Sequence, residues 1–166
     1  MNKVIVLSVD HSILGTTTWK RAVKLIVKGR AEALADSEYR IHKDMIIPTV
    51  IRLLKAIRNL WRTSVPFSKH NIHVRDGFIC QYCGTKIHSS KATIDHVIPK
   101  DLGGKNSWTN CVCSCFSCNN KKENRTPSQV HMSLLKLPTQ PTIMEFLMRK
   151  VKAEGLAGVL KEIGIY

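Results

Sequence analysis

Cys80-Gln81-Tyr82-Cys83, then Thr93-Ile94-Asp95-His96-Val97-Ile98-Pro99, then Cys115-Phe116-Ser117-Cys118-Asn119 are the stretches on which the reading of this chain turns. Two residues between the cysteines of each pair let both thiolates reach one tetrahedral ion at about 2.3 Å, and two such pairs complete the closed four-sulfur shell of a structural zinc site. Cys80, Cys83, Cys115 and Cys118 are therefore expected to hold structural zinc. Around and between the pairs, Ala92 to Pro99 is strand-like, Lys100 to Asn110 is a loop with Gly103-Gly104, Cys111 to Ser114 is a short second strand, and Phe116 to Arg125 is a short helix. That order predicts a small α+β core stapled by the metal. What the staple gathers suits phosphodiester cleavage: Asp95 and Asn119 offer oxygen ligands to a hard divalent cation, and His96 can take a proton from water. Neighbours on a regular strand face opposite sides, so Asp95 and His96 can serve one site only through a local twist or a cation at the strand's edge.

Composition agrees with a nucleic-acid partner. The 166 residues carry 26 Lys and Arg against 12 Asp and Glu, a formal charge of +14, which favours phosphate polymers or anionic lipid. Membrane attachment is the weaker choice. No apolar run approaches the roughly 18 to 20 residues that span a bilayer, and Val4 to Leu7, soon followed by Asp10, is too short for a secretory signal. A soluble, cytoplasmic protein is expected, with its six cysteines serving as metal ligands and buried thiols rather than disulfides. Cys111 and Cys113, two apart on a strand, read as thiols packed in the core. Aromatic residues make up only 6% of the chain, which speaks against single-strand recognition by stacked rings; Trp61 and Trp108 read as core.

Three stretches differ in composition. Residues 1–65 read as a small basic α/β module that suits DNA contact. Its apolar run Val4 to Val9 has strand length, Asp10 to Thr16 is turn-like, and a helix follows with Thr18 as cap, Trp19, Ala22, Val23, Ile26 and Val27 at helical spacing, and Gly29 as its stop. The opposite face, Lys20, Arg21, Lys24 and Lys28, fits either a solvated surface or DNA. Beyond Glu32 the pattern weakens; Met45 to Leu60 is apolar again, and Pro48 argues against a helix there. From Lys20 to Arg75 there are 13 Lys and Arg against four acids. Residues 66–130 hold the cysteines and the candidate chemistry. Residues 131–166 read as a helical tail, strongest over Thr142 to Ala153, suited to dimerisation, domain packing or DNA contact; the oligomeric state is left open between monomer and dimer. His70 and His73 read as ordinary surface residues.

Taken together, Arg75-Asp76-Gly77-Phe78-Ile79-Cys80-Gln81-Tyr82-Cys83-Gly84, Thr93 to Pro99, Gly103-Gly104, Trp108-Thr109-Asn110 and Cys115 to Lys122 resemble the HNH endonucleases, nucleases with a ββα-metal core. The resemblance covers about Arg75 to Pro127. The opening module, with Lys28-Gly29-Arg30-Ala31-Glu32, looks like the leader of many bacterial and phage members. It implies His96 as the general base, Asp95 and Asn119 as holders of a catalytic magnesium or manganese ion, and Asn110 as the middle asparagine that buttresses the histidine through backbone hydrogen bonds. The last position of the motif is often histidine in the family and is Asn119 here; an amide oxygen suits a hard cation. The implied fold is α+β, a ββα-metal core with a four-cysteine zinc site behind a small α/β module. The implied activity is hydrolysis of double-stranded DNA in a bacterial or phage-infected cell. Arg75, Lys122 and Arg125 suit phosphate contact or a structural role. Two other readings stay open: a non-catalytic zinc-ribbon module that only binds nucleic acid, and an RNA-directed nuclease.

Overall fold

The opening apolar run forms strand β1 (Lys3–Leu7) and is continuous in sequence because both of its faces are covered. In a computed structural model that describes residues 3–43, 45–56 and 64–164, β1 pairs antiparallel with β2 (Ile13–Thr18) and parallel with β4 (Met45–Leu53). β4 pairs antiparallel with β3 (Ala31–His42), so the sheet order is β2-β1-β4-β3. Val4 and Ile51 meet Ala22 and Ala31 in one cluster, to which Trp19, Leu25 and Ile26 of α1 (Trp19–Val27) also pack. Ile5, Leu7 and Val50 lie in a second cluster with Val151 of α4 (Ile143–Ala153), Leu156, and Leu160 of α5 (Ala157–Glu162). This alternation is the period-two geometry of a strand. Each aliphatic side chain so buried contributes about 1.5–3 kcal/mol.

The last helices thus share a core with the opening module. Residues Met1–Thr63 and Ile143–Tyr166 form one compact unit, and Ser64–Thr142 forms the other. Trp61 and the apolar run beyond Ala56 lie outside the described residues.

Several local expectations shift in the first unit. The turn is confined to Ser8–Ser12, where the Asp10 carboxylate accepts from the Ser12 N–H (3.1 Å) and hydroxyl (2.7 Å). The threonine-rich segment after it is strand, as β-branched residues favour. Residues 31–42, where the pattern weakens, form β3: their Ala, Glu and Asp carry little strand preference, and pairing with β4 imposes it. Pro48 sits inside β4 opposite Asp36, where the register slips on both sides, a place where a missing N–H is tolerated. Thr18 occupies the N-cap of α1 without a side-chain cap bond. The C-terminus behaves as expected: Gly29 at φ 61 lets its N–H reach the Ile26 carbonyl (2.8 Å) and the Arg30 N–H reach that of Leu25 (2.9 Å). Val27 is exposed, and Leu25 packs in its stead.

The second unit is built around a two-stranded antiparallel sheet of β5 (Thr93–His96) and β6 (Cys111–Ser114), preceded by α2 (Lys69–Arg75) and followed by α3 (Phe116–Lys122). The strand, loop, strand, helix order is the expected one. A 3-10 turn at Lys100–Leu102 opens the loop. α3 ends at Lys122, short of Arg125, because Glu123 turns to φ 49. Trp108 is buried, its Nε1–H donating to the Val65 carbonyl (3.3 Å) and its ring edge-on to Phe67. Cys111 and Cys113 are buried thiols. No helix among the described residues is long and apolar enough to cross a membrane.

Candidate active site and metal centre

The four expected cysteines converge. The Sγ atoms of Cys80, Cys83, Cys115 and Cys118 all lie within 4.8 Å of one another, with Cys83 and Cys115 3.9 Å apart. Four sulfurs at about 2.3 Å from one tetrahedral ion stand about 3.8 Å from each other, so the spacing fits zinc. Local structure aims them. The Cys80 N–H bonds to the Thr85 carbonyl (2.9 Å), the Gly84 N–H bonds to the Cys80 carbonyl (2.9 Å), and Ile79 bridges to Lys86. Cys115 is the N-cap of α3, its sulfur accepting from the Cys118 N–H (3.4 Å). Hydrogen bonds with Thr85 lower the Cys83 thiol to about 6, while burial and the crowded neighbouring sulfurs raise Cys118 and burial raises Cys115. A divalent cation would relieve that crowding by turning all four sulfurs into ligands.

Asp95, His96 and Asn119 line one cleft of about 450 Å³ beside the sulfur cluster's helix. Asp95 comes from β5 and is buried, so the alternation of neighbours along the strand holds: its carboxylate turns inward while His96 stays half-buried. The cleft reaches both because it opens at the end of the strand, where Pro99 and Lys100 join its wall. Asn119, the fourth residue of α3, donates through Nδ2 to the Thr93 hydroxyl (3.2 Å) and the Ile94 carbonyl (3.4 Å). Its Oδ1 is thereby left as an acceptor.

Asp95 has close partners that the sequence did not announce. The Tyr82 hydroxyl donates to its Oδ2, and Lys122 Nζ stands 3.1 Å from each carboxylate oxygen. Lys122 also donates to the His96 carbonyl (2.8 Å). Burial, then the hydrogen bond to Asp95, pushes the Tyr82 hydroxyl far above its ordinary range, so it remains a donor. A carboxylate offers about four lone-pair sites; Tyr82 and Lys122 donate one hydrogen bond each here, leaving room for a further ligand. The donor set of one carboxylate and one amide oxygen fits a hard cation such as magnesium or manganese that keeps most of its own waters.

Two of the three residues expected to suit phosphate contact are internal. Lys122 is 1% exposed and paired with Asp95. Arg75 is 6% exposed: it forks onto Asp76 (2.7 and 2.9 Å) and donates to the carbonyls of Trp108 (2.7 Å), Cys111 (2.8 Å) and Thr139 (3.3 Å). Asp76 in turn accepts from the Cys113 N–H (2.7 Å). Arg75 therefore braces β6, and Lys122 braces β5 against α3. Arg125 is exposed, bonded to the Lys121 carbonyl (3.0 Å) and Glu123. His73, expected at the surface, is buried, and neither ring nitrogen is bonded among the described residues.

Asn110 is buried and acts on main chain. Its Oδ1 accepts from the Ile98 N–H (2.8 Å), and its Nδ2 donates to the carbonyls of Ile98 and Lys105 (3.0 Å each). Its own carbonyl accepts from the Val97 N–H (2.8 Å), directly after His96. The residue bonded to the imidazole is Asn106, whose Oδ1 lies 2.7 Å from His96 Nε2. Nothing in the loop's mix of Gly, Lys, Asn and Ser marks Asn106 in the sequence.

Residues 80–135 match the HNH endonuclease family, and residues 4–61 match the HNH endonuclease-associated N-terminal domain. The chain thus carries an HNH endonuclease domain behind an HNH endonuclease-associated N-terminal domain. The two matches fall on the two compact units, the HNH core in the second and the associated domain in the first. The chain is also similar to the CRISPR-associated endonuclease Cas9 of Corynebacterium diphtheriae, 26% identical over 117 residues. That stretch is 70% of this chain and 10% of the relative, so the chain spans a small part of the curated relative's length.

Proposed function

We propose that this chain is a metal-dependent DNA endonuclease in which His96 is the general base and Asp95 and Asn119 hold the catalytic ion, with Cys80, Cys83, Cys115 and Cys118 binding structural zinc. The observation that carries the reading is the single cleft shared by Asp95, His96 and Asn119. A phosphodiester is anionic and repels hydroxide, so its hydrolysis needs positive charge at the phosphate and a base near neutral pKa. Bound magnesium or manganese would supply the charge. His96 takes the proton of the attacking water, Asn119 presents its carboxamide oxygen, and Asn110 holds the loop behind the histidine. The products are 5′-phosphate and 3′-hydroxyl ends.

Duplex DNA is favoured by the family alone; the charge of +14 favours any nucleic-acid backbone. Lys20, Arg21, Lys24 and Lys28 are all exposed along α1, which carries no acid, and they suit the phosphate backbone; Arg125 suits it in the HNH core. Binding of this kind weakens steeply as salt rises.

The test is cleavage of supercoiled plasmid by the zinc-loaded chain with added magnesium or manganese. His96→Ala should abolish nicking while zinc content and DNA affinity remain. Equal activity in that variant removes His96 from the mechanism. Tight DNA binding without cleavage under either ion leaves a binding module, and preferential cleavage of RNA reassigns the substrate.

A further inference from the structure

Resting on that reading, we propose that Asn106 is the positioning residue of His96, its carboxamide oxygen receiving the imidazole Nε2–H so that Nδ1 is left as the proton acceptor. The contact is 2.7 Å. An amide oxygen can only accept, so the nitrogen facing it carries the hydrogen, and a neutral imidazole then has its lone pair on the other nitrogen. Nδ1 makes no hydrogen bond among the described residues. A general base works when a third group fixes its tautomer and its plane; an imidazole without that partner rotates about its side-chain bonds and spends part of its time misaimed.

The loop delivers Asn106 by main-chain geometry. Asn110 clips Ile98 at one end and the Lys105 carbonyl at the other, and the Gly104 N–H bonds to the Pro99 carbonyl (2.9 Å). Gly104 is obligatory here, since a Cβ would stand 1.8 Å from the Ile98 carbonyl oxygen. Lys105 is the residue before Asn106, so the clip fixes the backbone from which Asn106 reaches the ring. The two asparagines divide the work: Asn110 shapes the loop without touching the imidazole through any of its side-chain bonds, and Asn106 grips the ring.

The test uses the zinc-loaded full chain, ¹⁵N-labelled, above neutral pH, in a two-bond ¹H–¹⁵N imidazole spectrum with His96→Gln identifying the resonances. The expected result is a slowly exchanging Nε2–H on His96 in the wild type and in Asn106→Asp, which keeps an acceptor. In Asn106→Ala that proton should exchange too fast to see. Asn106 is exposed, so the substitution should leave zinc content and folding intact. In plasmid cleavage, Asn106→Ala should lower kcat about tenfold or more with KM unchanged, and Asn106→Asp should recover most of it. A His96 hydrogen found on Nδ1, or full kcat in Asn106→Ala, overturns the proposal. The spectrum needs no turnover, so an inactive wild type counts against the nuclease reading while the tautomer still decides this one.

Discussion

The Tyr82 hydroxyl, carried between the two cysteines of the first pair, donates its hydrogen bond to the carboxylate of Asp95. One side chain thus joins the sulfur cluster to the acid expected to hold the catalytic ion. Tyr82→Phe keeps the ring and all four cysteines, so zinc content should be unchanged. Losing the partner of a ligating carboxylate costs about 10–100-fold in metal affinity or activity. Cleavage by Tyr82→Phe should therefore need more magnesium than wild-type cleavage does. A magnesium titration superimposable on the wild type would disconnect Tyr82 from the site.

Zinc removal should act unevenly on the chain. The second unit has a two-stranded sheet and short helices around the cysteines, whereas the first has a four-stranded sheet with two apolar clusters. Structural zinc contributes about 10–16 kcal/mol in small peptides near pH 7. A chelator should unfold residues 64–142 and leave amide protection in β1 and β4. Hydrogen exchange mapped by peptide reads this directly; protection retained around β5 and β6 without metal would show that the clamp is dispensable.

Lys122 and Asp95 form a buried ion pair, and removing one member of such a pair costs about 3–5 kcal/mol because a charge is stranded. Lys122→Met should lower Tm accordingly. If Asp95 is an ion ligand, magnesium gives the stranded carboxylate a new counter-charge and should raise the Tm of Lys122→Met more than that of the wild type. An equal magnesium response in both would take Asp95 out of the ion site.

What the sequence made legible is what depends on spacing alone. The cysteine pairs, Asp95, His96 and Asn119 sit at separations that chemistry dictates, and the strand, loop, strand, helix order follows from them. Burial of Arg75 and Lys122 depends on partners 26 to 64 residues away, which no local pattern shows. A hint existed for each: Arg75 is followed by Asp76, and Lys122 stands one helical turn after Cys118, on the inward face of α3. β3 was illegible because its pairing, not its composition, makes it a strand. Asn106 was illegible because a hydrogen bond across a loop leaves no period.

His73 provides a pH signature. It is 4% exposed on α2, both ring nitrogens are without a hydrogen-bond partner among the described residues, and its ring lies tilted against Phe78 at 5.8 Å. Desolvation lowers its pKa, helped by the charges of Lys69 and His70 and opposed by Asp76. The folded state therefore takes up the proton less readily than the unfolded chain, whose histidine titrates near 6.5. Stability from this group is complete above about pH 6.5 and is lost as pH falls through the lower folded value. Thermal melts should show Tm dropping from pH 7.5 to 5.5. His73→Leu removes the titrating group and two unsatisfied buried atoms, a change that is neutral or stabilising when the shape is kept, so it should raise Tm more at pH 5.5 than at pH 7.5. Parallel pH profiles for the two proteins would mean that His73 is hydrated and titrates as it does in the unfolded chain.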